Sequence, residues 1–542
     1  MKSLLRALAL LAIVGAAHAA PTAPAPKLVL QITVDQLRGD LLPRYRSRFG
    51  DGGFNLLMDR GLYYANAHYE TANTITCAGH AVLATGADVA QHGIVGNNWM
   101  DRDTGKEVYC VDDDRYPVVG EPGKTGMSPA KLTSSTIGDE IVIASGHRAR
   151  AFAVSGKDRS AIVPGGHLGK AFWMSDVTGG VATSTYYYKE LPDWVTAWNE
   201  RKLFTTYRQG GWTLKYPLST YVNASRSANA YAHVKAKMTR TFPHALSNLS
   251  DADLVKTLRF TPFLDELTAD FARELIAHEK LGANGVTDYL SISFSATDYI
   301  GHSFGANSVE SEDNLLRLDA TLAKLFAYID RTIGLGNTLI VLSADHGGDD
   351  APEERKALGY DADRLGGEPF RAHLNELLKK RFSGADGWVS AVVPPNVYLD
   401  RAKIAAAHVD AAAVESALAQ VLREEPGVAF AFTRSDLLAG RIGHTALFDR
   451  VQRAFHPTRS GDVVVIQKQF WYFDDYPDYY ATMHGSPYSY DTYVPILLLA
   501  PGAKPMTVRT ATAPAQIAPT IASLLGIRPP SGCVCDPPLP GL

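Results

Sequence analysis

Three apolar runs of this 542-residue chain each end on an aspartate. The runs are Leu28–Asp35, Tyr289–Asp298 and Leu339–Asp345. In open α/β sheets, ligands bind beyond the carboxyl ends of the strands, so polar residues that directly follow apolar strands lie near one another. One aspartate at such a point is often only the N-cap of a helix. Three of them together predict a shared site.

Histidines accompany two of these aspartates. His302 lies four residues after Asp298, a spacing that places both on one face of a helix or around one turn, and His346 directly follows Asp345. His484 lies in a Gly/Pro turn, where a core histidine would be unusual. Carboxylate oxygen mixed with imidazole nitrogen is typical of zinc, ahead of manganese or iron. Five or six such ligands exceed one site and indicate two ions, which suits in-line phosphoryl transfer.

A nucleophile is predicted where the loop of Glu70–Gly86 enters a helix, with Thr76 near the helix N-terminus. Backbone N–H groups and the helix dipole favour a phosphate there, and a metal ion could hold the Thr76 hydroxyl as an alkoxide. Two alternatives stay open at this point. Thr76 could be only an N-cap, and Cys77 is a rival nucleophile, although a thiol in an exported protein is more often oxidised or buried.

The elements that must position these residues alternate along much of the chain. Nearly continuous apolar strands between helices predict an α/β fold with a mainly parallel central sheet and helices on both faces. Two stretches rich in Tyr, Trp, Gly and Pro, at about 170–250 and 351–480, are predicted to be insertions that form a cap. We therefore expect one domain over 27–542. The predicted strands are Leu28–Val34, Ala151–Val154, Tyr289–Phe294, Thr338–Ser343 and Pro495–Leu499, and the predicted helices are Asp251–Leu281 with an interruption at Pro262, Glu310–Arg331, Ala405–Glu425 and Ala515–Leu525.

The motifs of this chain, taken in order, resemble those of the alkaline phosphatase superfamily from residue 27 to about 500. Within it, the chain is similar to the monomeric, phosphate-irrepressible bacterial alkaline phosphatases with a threonine nucleophile, relatives of the nucleotide pyrophosphatase/phosphodiesterases. The resemblance implies an alkaline phosphatase-like fold, a monomer and two zinc ions. The motifs are Asp35, Thr76-x-x-Gly79-His80, His92-Gly93-Ile94-x-Gly96-Asn97, Asp298-x-x-x-His302, Asp345-His346-Gly347 and His484-Gly485.

The same resemblance implies how the ligands divide between the two zinc ions. One ion is expected on Asp298, His302 and His484. The other is expected on Asp35, Asp345, His346 and the oxygen of Thr76. His80 is predicted to support these residues or the core rather than to bind metal.

A Lys-x-Arg pair, Lys157 and Arg159, follows the predicted strand Ala151–Val154. Arginine can hold two phosphate oxygens and lysine acts as a point charge, so the pair suits the dianionic phosphoryl group of a monoester. An arbitrary Lys-x-Arg is usually a solvated surface pair. This one matches by position the pair of the threonine-type monoesterases, which diesterase relatives generally lack, and Asn97 matches their phosphate-binding asparagine. The resemblance therefore implies phosphate monoesters as substrates.

The predicted function is that of an exported two-zinc alkaline phosphatase that acts through a phosphothreonine at Thr76. One alternative is a phosphodiesterase or nucleotide pyrophosphatase on the same scaffold. Sulfate-ester hydrolysis is disfavoured because Cys77 lacks the C/S-x-P-x-R context of the formylglycine sulfatases. An alternative of another class is a non-catalytic periplasmic protein that binds metal or phosphate.

Composition and the N-terminus define the expected setting. The formal net charge of -4 and the lack of a long basic block argue against nucleic acid or an anionic membrane as a partner. Lys2, Arg6, an apolar stretch and Ala17-His18-Ala19 predict a signal peptide at 1–19, so the protein is expected to be periplasmic or secreted, with no membrane span. The acidic pair Asp349–Asp350 is predicted to lie in a solvated loop. Cys77, Cys110, Cys533 and Cys535 are consistent with two disulfides of undetermined pairing.

Overall fold

The computed structural model of the chain describes residues 25–384, 386–477, 479–534 and 537–542. The predicted signal peptide, 1–19, lies outside these residues, and so does Cys535. In chain order, the strands are β1 (Leu28–Val34), β2 (Leu62–His68), β3 (Asn98–Met100), β4 (Glu107–Tyr109), β5 (Val118–Val119), β6 (Ala151–Ser155), β7 (Lys170–Met174), β8 (Val181–Ser184), β9 (Asp288–Phe294), β10 (Thr338–Ser343), β11 (Arg364–Gly366), β12 (Val389–Val393), β13 (Asn396–Leu399), β14 (Val428–Thr433), β15 (Val463–Gln467), β16 (Tyr472–Asp474), β17 (Tyr493–Leu499) and β18 (Met506–Val508).

The helices include the predicted interruption at Pro262, which separates α8 from α9. Among the described residues, no helix combines the length and the apolar character needed to cross a membrane. The α-helices are α1 (Leu41–Tyr45), α2 (Phe54–Arg60), α3 (Thr76–Thr85), α4 (Val89–His92), α5 (Ile137–Ala144), α6 (Asp158–Gly165), α7 (Asp193–Glu200), α8 (Asp251–Leu258), α9 (Phe263–His278), α10 (Ala296–Phe304), α11 (Val309–Thr332), α12 (Pro352–Ala357), α13 (Gly367–Arg381), α14 (Arg401–Ala406), α15 (Ala411–Glu424), α16 (Arg434–Leu438), α17 (Ala446–Arg453), α18 (Ser489–Thr492) and α19 (Ile517–Leu525).

The central sheet has ten strands in the order β18-β2-β17-β10-β1-β9-β6-β7-β8-β5. Its middle strands, β10, β1, β9, β6 and β7, are all parallel, so the predicted mainly parallel sheet is confirmed. The predicted strand Pro495–Leu499 belongs to β17, which runs antiparallel to both of its neighbours.

Register brings the three aspartate-bearing strand ends to one edge of the sheet. Val34 pairs with Phe294, and Thr33 pairs with Ser343. The Asp35 N–H then donates to the Phe294 carbonyl at 2.9 Å, which extends the pairing by one residue. The segments that follow β1, β9 and β10 therefore meet, as the apolar runs predict.

Helices cover both faces of the sheet. Alternate residues of a strand point to opposite faces, so neighbouring residues of β1 pack in two different core clusters. Leu30 and Ile32 of β1 lie in a core cluster with residues of α9 and α11. Val29 lies in another cluster with residues of α5 and α19. All of β1 is buried, which explains why apolar residues dominate it, with Gln31 and Thr33 as the polar exceptions.

A second sheet, β12-β13-β15-β14, lies within the predicted insertion 351–480. It packs with α13 and α15 around its own core, which includes Trp388, Leu418 and Val463. The stretch 170–250 contributes β7 and β8 to the central sheet, so only the part after Ser184 lies outside that sheet. Strands as short as β7 and β8 show no clear period in sequence, and composition alone does not mark where the sheet ends in this stretch.

Candidate metal centre

Two groups of buried ligand-type side chains lie where β1, β9 and β10 end. Within each group, one ligand atom of every residue lies within 4.8 Å of the others. The outer group is Asp298, His302 and His484, and the inner group is Asp35, Asp345 and His346.

Helix α10 and the loop before α18 position the outer group. Asp298 and His302 lie one turn apart on α10, with His302 Nε2 3.1 Å from Asp298 Oδ1. His484 Nε2 lies 3.6 Å from the same oxygen. The predicted spacing of four residues thus places carboxylate and imidazole on one helical face.

Strand ends position the inner group. Asp35 directly follows β1, and Asp345 follows β10 after one intervening residue. His346 Nε2 lies 3.5 Å from Asp35 Oδ1 and 3.5 Å from Asp345 Oδ2. Thr76 Oγ1 lies 3.5 Å from the same nitrogen, so the threonine hydroxyl faces this group.

The three histidines share one orientation. Each Nδ1 lies against a backbone carbonyl: His302 against Thr482 at 2.7 Å, His346 against Gly347 at 2.8 Å, and His484 against Thr74 at 2.7 Å. A carbonyl only accepts hydrogen bonds, so Nδ1 carries the proton and Nε2 presents its lone pair toward the carboxylates. Partners of this kind fix ligand histidines at metal sites.

The electrostatics of the two groups favour a bound cation. Burial raises the pKa of Asp35 well above its usual value, and Asp298 and Asp345 raise it further. Burial lowers the pKa of both His346 and His484, so the imidazoles are neutral, as metal ligands must be. Asp35 Oδ1 is buried without a hydrogen-bond donor among the described residues. A buried oxygen of this kind fits a cation, and the mixed oxygen and nitrogen donors fit zinc.

Thr76 is the first residue of α3, and Ile75 occupies the N-cap position. The alternative that Thr76 is only an N-cap is therefore wrong. His80, one turn later, places Nδ1 2.9 Å from the Thr76 carbonyl oxygen and 3.2 Å from Asp345 Oδ2. His80 thus supports both the threonine and the inner group without joining either set of ligands.

Lys157 lies between the two groups. Its Nζ donates to Asp35 Oδ2 at 2.6 Å and to Asp298 Oδ2 at 2.5 Å. Burial acts to lower the pKa of Lys157, but Asp298 and Asp35 outweigh it, so the ammonium stays charged. The Tyr299 ring covers Nζ at 4.9 Å from its centroid. Lys157 is therefore buried, and the alternative of a solvated surface cation is wrong for this residue.

Arg159, in the first turn of α6, is held beside the same site. Its Nη1 donates to the Tyr109 hydroxyl at 3.2 Å, and that hydroxyl donates to Asp158 Oδ1 at 2.5 Å. Arg159 Nε is buried and has no partner among the described residues. A guanidinium with an unused donor remains available to an anion.

A cavity of about 310 Å³ lies beside Thr76, Arg159 and the outer group. The outer group lines it, whereas the residues of the inner group do not. Its lining includes Thr76, Asn97, Arg159, Asp298, His302 and His484, together with Val393, Phe473, Asp474 and Tyr480 from the stretch 351–480.

Asn97 and a disulfide fix the start of α3. The Cys77 N–H donates to Asn97 Oδ1 at 3.0 Å. Cys77 is bonded to Cys110, so this cysteine is not a nucleophile. Sequence reasoning left the pairing of the four cysteines open, and it missed Tyr109, whose contact with Arg159 spans 50 residues. The one available signal was that Tyr109 directly precedes a cysteine.

The sequence and structure are similar to those of known proteins. A model of the family described as type I phosphodiesterase / nucleotide pyrophosphatase matches residues 29–487. A Myroides odoratus protein named calcium-transporting ATPase is 37% identical over 523 residues, 94% of each chain. Alkaline phosphatase PafA of Elizabethkingia meningoseptica is 35% identical over 526 residues, 95% of this chain and 94% of PafA.

A crystal structure of a PafA variant has a TM-score of 0.88 against this chain, at 34% identity, and the match covers 95% of this chain and 98% of that one. One threonine, one asparagine, one lysine and one arginine are replaced in the variant. The threonine and asparagine have the spacing of Thr76 and Asn97, and the lysine and arginine have the spacing of Lys157 and Arg159.

Proposed function

The chain belongs to the type I phosphodiesterase / nucleotide pyrophosphatase family, and we propose that within it the chain is an alkaline phosphatase that hydrolyses phosphate monoesters. One observation carries the proposal. Thr76 at a helix N-terminus, Asn97, Arg159 and the outer group line one cavity, the inner group lies behind Thr76, and Lys157 bridges the two groups.

Charge favours a monoester over a diester. The phosphoryl group of a monoester carries two negative charges, and the site holds two cations, the buried Lys157 and the half-buried Arg159. Arg159 Nε and the Asn97 amide are the donors for its oxygens. A second substituent on phosphorus removes one charge and adds bulk, so a diester gains less from the same donors. This argument disfavours the diesterase alternative.

Thr76 is the proposed nucleophile. Its Oγ1 forms a bond to phosphorus in line with the departing oxygen, the ester bond breaks, and water later releases phosphate from the phosphothreonine. The α3 N-terminus directs backbone N–H groups and the positive end of its dipole at the phosphoryl oxygens. His80 holds the Thr76 backbone, which fixes the direction of attack.

Two zinc ions, one on each group, complete the proposed site. Asp298, His302 and His484 would hold the outer ion, and Asp35, Asp345, His346 and Thr76 the inner one. When bound, such ions supply positive charge that favours the ionised threonine hydroxyl and the departing oxygen. The donor sets match those of zinc sites.

The proposed setting is the periplasm or the exterior, with the chain acting as a monomer. The Cys77–Cys110 disulfide supports this setting, because disulfides persist in oxidising compartments. The signal peptide predicted at 1–19 gives the same location.

The test combines metal analysis of the purified protein with a substrate panel before and after chelation. We expect two zinc ions per chain, loss of activity on chelation and recovery with zinc. The panel contains p-nitrophenyl phosphate, bis(p-nitrophenyl) phosphate and ATP, the last because one relative is named an ATPase. The monoester should give the highest kcat/KM.

Other outcomes separate the alternatives. A higher kcat/KM for the diester would support the phosphodiesterase. Metal binding without turnover of any substrate would support the non-catalytic protein. In Arg159→Ala, kcat/KM should fall more for the monoester than for the diester. Arg115→Ala is the matched control, because Arg115 is exposed and pairs with Asp113 alone among the ion pairs of the described residues.

A further inference from the structure

The hydroxyl of Tyr109 connects two residues of α6. It accepts from Arg159 Nη1 at 3.2 Å and donates to Asp158 Oδ1 at 2.5 Å. A guanidinium only donates and a carboxylate only accepts, so the phenol must do both at once. Burial keeps the pKa of Tyr109 well above its usual value, which maintains the proton that this arrangement needs at alkaline pH.

Tyr109 is itself held in place by the β3–β4 hairpin and the disulfide beside it. Tyr109 pairs with Asn98 in the hairpin, and the next residue, Cys110, donates its N–H to the Asn97 carbonyl at 2.8 Å. Cys110 is bonded to Cys77, the residue after the proposed nucleophile. Asn97, Tyr109 and the start of α3 therefore form one connected frame.

Arg159 belongs to a different element, α6, which follows β6 of the central sheet. Its side chain must nevertheless be aligned with Thr76 and Asn97, which belong to the frame. The contact between Tyr109 and Arg159 makes that alignment across 50 residues of sequence. An arginine without such a contact keeps its rotamer freedom and loses more of it on binding phosphate.

We infer that Tyr109 is a positioning residue that aligns Arg159 with Thr76 and Asn97 and thereby sets the preference for phosphate monoesters over diesters. This inference rests on the proposed phosphatase function. Tyr109 acts through Arg159, so its contribution should be large for a dianionic phosphoryl group and small for a diester, which depends less on that cation.

The test is Tyr109→Phe, which keeps the ring and removes the hydroxyl. We expect kcat/KM for p-nitrophenyl phosphate to fall by about tenfold or more, the range for a hydrogen bond to a charged group, while kcat/KM for bis(p-nitrophenyl) phosphate changes by less than about twofold. The inhibition constant for inorganic phosphate should rise in parallel. Tyr328→Phe is the matched control, because its hydroxyl bonds to the Arg273 carbonyl in another part of the fold.

A double-mutant cycle identifies the path of the effect. In an Arg159→Ala background, Tyr109→Phe should have no further effect on the monoester. An unchanged monoester-to-diester ratio in Tyr109→Phe would overturn the inference, and so would an undiminished loss in the Arg159→Ala background. Failure of the proposed function is distinct, because the wild type would then hydrolyse the monoester no faster than the diester.

Discussion

The outer and inner groups have similar side chains and different surroundings. The outer group lines the cavity, and His302 and His484 retain 7% and 8% of their exposed surface. The inner group is at 0% in all three residues and lies behind Thr76. The outer group therefore faces the cavity, and the inner group faces Thr76, the proposed nucleophile.

The supports of the two groups also differ. Asp35 and Asp345 follow strands in the middle of the central sheet, where register is fixed on both sides. Both histidines of the outer group, His302 and His484, depend on loop carbonyls, whereas His346 is the one inner-group residue that does. Loops open locally at lower free energy than central strands. We therefore expect the proposed site to be more rigid around the inner group and Thr76 than around the outer group.

The largest effect is expected from Thr76→Val, which removes the hydroxyl that faces the inner group and nearly keeps the side-chain volume. Phosphatase kcat should fall by about a thousandfold or more, because a nucleophile has no substitute. Zinc content, measured by mass spectrometry, should stay near two. Thr85→Val is the matched control on α3, since the Thr85 hydroxyl accepts and donates only to nearby backbone groups. Retention of a large part of the rate would remove Thr76 from the proposed role.

A second effect compares the groups directly through His302→Ala and His346→Ala. Each change removes one ligand, and we expect each to lower kcat by about a hundredfold at limiting zinc. Excess zinc should restore much of the rate only in His302→Ala, because the outer group opens to the cavity. The measurement is initial rate against free zinc. Equal restoration in both variants would contradict the difference in accessibility.

The smallest effect is expected from His80→Gln, which sharpens the comparison by disturbing one support of the inner group. Loss of the contact with Asp345 should lower the affinity for the inner zinc ion by about tenfold, the range for residues that orient metal ligands. Chelator competition, followed ion by ion, measures this. The variant His147→Gln, in an exposed turn, controls for loss of an imidazole. Equal weakening of both ions would argue against a role confined to the inner group.

The proposed ligand residues could be predicted because strands that are buried on both faces of a sheet are recognisable in the sequence as runs rich in apolar residues. β1, β9 and β10 are buried at every position and rich in apolar residues, so the carboxylates that follow them stand out, and Asp35 and Asp345 could be predicted from that pattern. The α10 ligands follow from helical spacing. The division into an outer and an inner group came from family resemblance.

Contacts between distant segments could not be predicted in this way. Asp349 and Asp350 are buried rather than solvated, since they pair with arginines such as Arg38 and Arg226, which no local pattern reveals. The hydrogen bonds from Lys157 to Asp35 and Asp298 could not be predicted either, because they depend on β6 lying next to β9, and β9 next to β1, in the sheet. The antiparallel direction of β17 leaves no mark on composition, because a strand buried on both faces is apolar in either direction.

The place of β17 has a consequence for the order of assembly. β17 lies between β2 and β10, so the segment that carries His484 is built into the interior of the sheet rather than added at its edge. During synthesis the segment of Asp35 emerges first and that of His484 more than 400 residues later. The outer group is therefore incomplete until almost the whole chain has folded. A metal ion can bind the outer group at full affinity only after His484 has joined Asp298 and His302. The free energy of that binding would therefore stabilise only the completed fold.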